Sequence, residues 1–184
     1  MKLIHSLGIA LLLLCGLVGS SDALAQAQWL EYSVIHKDTS HRCITAKPDV
    51  APGAAAPVTL VPCSLEMVVG EQAWGWIKAD VRARGGLEVY AFQNVAAKTC
   101  LGVEGGVVTD RARLLTVRCD LTDPSQLWLP SMRIRSAVTA PGATKWVNLK
   151  SHKCIDVGDE GELRQSKCQM TAPYWPQEFT APRR

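Results

Sequence analysis

The chain has 184 residues, with 20 Lys and Arg against 17 Asp and Glu, and the resulting formal charge of +3 is too even to mark a nucleic-acid partner. Its length fits one domain with a full core. Seven cysteines are the unusual feature of the composition.

Residues 1–25 have the layout of a secretory signal peptide: Lys2, an apolar run from Leu7 to Val18, and the small-residue site Ala23-Leu24-Ala25, with cleavage expected after Ala25. Ser20-Ser21-Asp22 ends the apolar run too early for a transmembrane span. Leu14 precedes Cys15 where lipid attachment wants a small side chain. Export to a secreted or periplasmic location is therefore expected. Removing residues 1–25 takes Cys15 away and leaves an even set, Cys43, Cys63, Cys100, Cys119, Cys154 and Cys168. Even cysteines in an exported chain read as a disulfide framework. His41 and His152 each sit two residues before a cysteine, but no Cys-x-x-Cys pair accompanies them, so neither a metal nor a cofactor is expected.

In chain order, the alternating run Trp29 to Val34 reads as a first strand, followed by a polar turn and Cys43-Ile44-Thr45. Pro48 to Pro57 is too rich in Pro, Gly and Ala for a regular element. Val58 to Val61 and Ala73 to Ile77 are strand-like. After the turn Arg84-Gly85-Gly86, strands are expected at Leu87–Phe92, Thr99–Val103, Leu114–Arg118 and Leu127–Leu129. Beyond Ala140-Pro141-Gly142 they are expected at Lys145–Lys150, Cys154–Val157, Leu163–Gln165 and Glu178–Thr180. No stretch after the signal keeps a helical apolar period.

One skeleton recurs three times along this path: a first cysteine followed by an aliphatic residue, a run into a second cysteine, then Gln72-Ala73-Trp74, Gln126-Leu127-Trp128 and Gln177-Glu178-Phe179. Trp74 precedes Cys100 by as many residues as Trp128 precedes Cys154. Six cysteines allow many pairings. Repeats that each carry two favour the local ones, Cys43 with Cys63, Cys100 with Cys119 and Cys154 with Cys168. Such repeats cannot bury their apolar faces singly, and closing them around one axis removes exposed strand edges. The expected fold is all-β: a closed barrel of three pseudo-symmetric four-strand repeats, at about 27–82, 83–134 and 135–182 of a domain spanning 26–184, with Trp74, Trp128 and Phe179 meeting in a shared core.

These residues resemble the ricin-B-type β-trefoil family, whose members include many carbohydrate-binding modules. The resemblance implies a mainly structural Gln-x-Trp element. It also implies sugar contact through an acidic residue two after the first cysteine, an aromatic two before the second, and an Asn just before the Gln. A carboxylate accepts bonds from sugar hydroxyls, an aromatic face stacks on the ring and an amide completes the orientation. Repeat 1 has Thr45, Val61 and Glu71 at those places, and repeat 2 has Gly102, Val117 and Ser125. Repeat 3 keeps the acid, Asp156, beside Ser166 and Pro176, with Tyr174 and Trp175 close by as a stacking surface. The resemblance thus implies a weak sugar site built from Asp156, Gln177, Trp175 and Tyr174, with Asp156 as a surface carboxylate.

Two functions follow. The first is a secreted, non-catalytic module binding a glycan or glycoconjugate through degenerate sites. The second resembles the binding subunits of cytolethal distending toxins, with a host-surface ligand, partner toxin subunits and an aromatic patch drawn from Trp29, Trp76, Trp146 and Trp175. An enzyme is not expected. The acidic run Asp156, Asp159, Glu160 and Glu162 reads as a solvated turn, since its spacing completes no calcium loop.

Overall fold

The computed structural model describes residues 30–34, 36–37, 41–47, 54–64, 70–131, 144–169, 177 and 179–180. The expected signal peptide, Trp29, Tyr174 and Trp175 lie outside the described residues. Apart from two short 3-10 turns, the described regular structure is all strand: β1 (Leu30–Val34), β2 (His36–Lys37), β3 (Arg42–Ala46), β4 (Ala56–Pro62), β5 (Ala73–Arg82), β6 (Glu88–Asn94), β7 (Thr99–Val103), β8 (Leu114–Arg118), β9 (Trp128–Ser131), β10 (Lys145–Asn148), β11 (Cys154–Val157), β12 (Leu163–Ser166) and β13 (Phe179–Thr180).

The pairings form a closed ring. β1 pairs with β5, β5 with β6, β6 with β9 and β9 with β10. The ring closes where Thr144, at the entry to β10, bridges Phe179 of β13, which in turn pairs with β2. Three hairpins, β3–β4, β7–β8 and β11–β12, cap the ring, one per repeat. This is the β-trefoil plan, and closure removes the open edges that isolated repeats would expose.

Trp74, Trp128 and Phe179 are completely buried in a single cluster with Ile44, Leu101 and Ile155, the residues that follow the three first cysteines. The Trp74 indole N–H donates to the Ile44 carbonyl at 2.9 Å and that of Trp128 to Leu101 at 3.0 Å. Each indole is therefore satisfied by its own repeat's first-cysteine strand. The disulfides Cys43–Cys63, Cys100–Cys119 and Cys154–Cys168 tie each hairpin across its two strands, with Cα separations of 4.9, 4.8 and 5.0 Å. Each stabilises by about 3 kcal/mol on the chain-entropy model. Alkylation of the oxidised protein lacking residues 1–25 should add no mass, and a mapped peptide joining Cys63 to Cys100 would overturn this connectivity.

His41, Lys98 and His152 occupy one repeat position, two before the first cysteine, and all three hold left-handed φ angles of 49°, 55° and 56°. The amide of Lys98 donates to the Asn94 carbonyl and that of His152 to Asn148, both at 3.0 Å. The recurring histidines are thus turn residues at the hairpin entry. Elsewhere the strands depart modestly from expectation. β4 begins at Ala56, inside the stretch expected to be loop, because Ala56 and Pro57 pair with Thr116 and Leu115 of β8. β5 runs on to Arg82, because it and β6 continue as an extended hairpin.

Candidate functional site

The Gln-x-Trp glutamines are clamps on the second disulfide strand. Gln72 donates to the Pro62 carbonyl at 3.0 Å and accepts from Ser64 N–H at 2.9 Å, spanning Cys63. Gln177 spans Cys168 in the same way, donating to Lys167 at 3.0 Å and accepting from Gln169 at 2.9 Å. Gln126 accepts from Asp120, the residue after Cys119, at 3.0 Å. Gln177 is only 1% exposed, so its amide is engaged within the fold where the sequence placed it against a sugar.

The family's acidic positions differ sharply between repeats. At Thr45 the hydroxyl donates to the Cys43 carbonyl at 3.1 Å. At Gly102 a side chain would be crowded: a Cβ there would lie 3.0 Å from Val117 Cγ2 and 3.1 Å from Gln126 Cγ, so both neighbours would have to give way. Asp156 is the acid of the three, and its placement corrects the expectation of a surface carboxylate. It is 3% exposed, its Oδ1 accepts from Val157 N–H at 2.9 Å, and its Oδ2 lies 3.6 Å from Arg164 Nε. That last contact is an ion pair without hydrogen-bond geometry, and Arg164 Nε has no hydrogen-bond partner among the described residues.

Arg164 was missed in the sequence, although the hairpin register that pairs Cys154 with Ser166 necessarily sets Asp156 opposite Arg164. Arg164 Nη1 is also 3.8 Å from Glu162 Oε1. Arg164, Glu162 and Glu160 face a cleft of about 250 Å³, whose other walls include Pro57, Arg111 and Arg113. Two carboxyls held below the ordinary range lie away from it, on exposed turns. Glu88 is lowered by its bond from Lys78, then by the Tyr90 hydroxyl, and Asp120 by the Thr122 hydroxyl and amide.

Two members of the expected aromatic patch, Trp76 and Trp146, are also corrected. Trp146 is 1% exposed and belongs to the core, meeting Phe92 edge-on with centroids 4.7 Å apart. Trp76 packs edge-on against Trp146 at 4.9 Å. Neither offers a free surface ring, since both point into the barrel cluster.

The model of the ricin-type β-trefoil lectin domain-like family matches residues 70–171, more than half of the chain. The chain belongs to that family. Solved structures agree on the fold. The designed threefold-symmetric protein ThreeFoil superposes with a TM-score of 0.62 at 17% identity, covering 82% of this chain and 96% of its own. A lectin of Polyporus squamosus, crystallised with a human-type influenza-binding epitope, gives 0.59 at 14% identity over 84% of this ricin-type chain and 49% of the lectin. The cytolethal distending toxin of Actinobacillus actinomycetemcomitans gives 0.58 at 13% identity, covering 82% and 89%. The chain therefore spans about half of the lectin but most of the toxin chain. No curated protein sequence matches it.

Proposed function

We propose that this ricin-type chain is an exported, non-catalytic glycan-binding module whose contact at the family's positions is weak and confined to the third repeat. The observation that carries this reading is the contrast among three equivalent places: a threonine bonded to its own strand, a glycine crowded by Val117 and Gln126, and the carboxylate of Asp156. Family membership supports a glycan as ligand, and the three disulfides support export, in line with a signal peptide at 1–25 and a domain at 26–184. Weakness follows from Ser166, which offers no ring for stacking, and from the engagement of Asp156 with Arg164. Tyr174 and Trp175 are the side chains proposed to supply stacking.

A glycan array probed with the oxidised protein lacking residues 1–25 tests this. Retention should be competed by free sugar and abolished in Asp156→Ala. Because Asp156 is buried and paired, that variant should also lose about 1 to 2 kcal/mol of stability, a partly exposed arginine being left with Glu162 as its remaining partner. Retention at the wild-type level in a folded Asp156→Ala protein would remove the third-repeat site.

The toxin-subunit reading is favoured by one observation, that this chain spans 89% of the distending-toxin chain, as a lone trefoil would. Recovery of a second polypeptide in a pull-down, with a silent array, would select it.

A further inference from the structure

The three capping hairpins touch one another in a triangle. Ala56 of β4 pairs with Thr116 of β8, Thr59 of β4 with Glu162, and Arg113 with Arg164 of β12. The cleft described above opens where they meet, so every repeat contributes to its wall. Two features of that wall are unfavourable in the free protein. Arg113 and Arg164 stand directly opposite one another across their bridge, and like charges so placed repel. Arg111 holds a left-handed φ of 62°, an uncommon conformation for a residue with a side chain.

The segment carrying these arginines is nevertheless held firmly. Gln165 accepts from the Arg111 amide and donates its own amide to Ala112, both at 2.8 Å, while its side chain donates to Val107 and Thr109 at 2.9 Å each. The Lys167 amide donates to Asp110 at 2.8 Å. Arg164 is partnered by Asp156 and Glu162, whereas Arg111 and Arg113 have no ion pair among the described residues. Two guanidinium groups with no ion pair among the described residues thus stand on a held backbone segment in the wall of a cleft that Glu160 and Glu162 also line.

We propose that this cleft binds one acidic sugar residue, its carboxylate or sulfate held by Arg111 and Arg113 and its hydroxyls by Glu160 and Glu162. Guanidinium forks match a carboxylate or sulfate with paired, charge-assisted bonds. An anion there also screens the opposed Arg113 and Arg164. A bare inorganic anion fits poorly, because the two glutamates repel it, whereas they accept from hydroxyls on the same ring. The pre-formed loop lowers the ordering cost of binding. This inference depends on the glycan-binding reading only in taking a sugar as ligand, since the residues lie outside the family's positions.

The test is a titration, followed by NMR chemical shifts at low salt, of the oxidised protein with glucuronate, glucose 6-sulfate, glucose and inorganic sulfate. Both arginine side chains are exposed, so the double variant R111Q/R113Q should keep the wild-type melting curve. Binding of at least one acidic sugar, weakened about tenfold or more in that variant, is the expected result. A response to glucose as strong as to the acidic sugars overturns the proposal, as does equal binding by the double variant or silence from every probe. An equal response to sulfate means an adventitious ion only and overturns it too. If neutral glycans are retained on the array while neither acidic probe binds, the glycan-binding function stands and the cleft falls. If acidic probes bind through the arginines while neutral glycans are ignored, the cleft stands and the third-repeat site falls.

Discussion

Replacing Trp128 by alanine should lower the stability of the oxidised protein by about 3 to 5 kcal/mol, the range for emptying a large buried aromatic site. The indole is completely buried in the cluster that all three repeats share, so the space left behind cannot be filled from one repeat alone. Its N–H also satisfies the Leu101 carbonyl, which the substitution leaves buried without that partner. Trp128→Phe should cost much less, because Phe179 already occupies the equivalent position in repeat 3 without an N–H to offer. Leu121→Ala, at an exposed site, should be nearly neutral. Urea melts of the three variants decide the matter: a loss below about 1 kcal/mol for Trp128→Ala would mean that the axial cluster does not unite the repeats.

The repeat made the fold legible because each of its anchors has a bond that the repeat itself supplies. Gln72 and Gln177 make the same pair of contacts across their cysteines, and Trp74 and Trp128 the same contact to the residue after the first cysteine. Spacing along the chain is enough to reveal such features. What the sequence hid depends on partners from other strands. Asp156 reads as exposed until Arg164 is set opposite it by the hairpin register, and Trp146 reads as a loose aromatic until β10 is seen inside the barrel wall. The arginine cleft needs three hairpins at once, with Arg111, Arg113 and Arg164 drawn from two repeats. No local pattern encodes that meeting.

The least legible anchor yields the second large effect. Asn148 is fully buried, and its side chain joins two turns: Nδ2 donates to the Ser125 carbonyl at 2.9 Å and to Leu127 at 3.3 Å, while Oδ1 accepts from Lys150 and Ser151 N–H, each at 3.1 Å. Ser125 and Leu127 flank Gln126, so Asn148 locks the Gln-x-Trp turn of one repeat to the hairpin entry of the next. Asn94 does the same for Glu71 and Ala73 around Gln72, accepting from Ala96 and Ala97. Lys37 stands at the equivalent place in repeat 1, which is why threefold matching of the sequence passes over the motif. Asn148→Ala removes four hydrogen bonds, each worth about 1 kcal/mol, and leaves the Ser125 carbonyl without its donor at a further cost of about 1 to 2 kcal/mol, whereas the Leu127 carbonyl keeps the Leu149 amide at 2.8 Å. A total loss of about 3 kcal/mol or more is expected, close to that of removing a disulfide. Amide exchange localises the effect: Lys150 and Ser151, protected in the native protein by the Asn148 carbonyl oxygen, should exchange much faster in the variant. Because Gln126 organises the same turn, Asn148→Ala and Gln126→Ala together should cost less than the sum of their separate effects. Strict additivity, or unchanged protection at Lys150 and Ser151, would show that the turns hold without the amide between them.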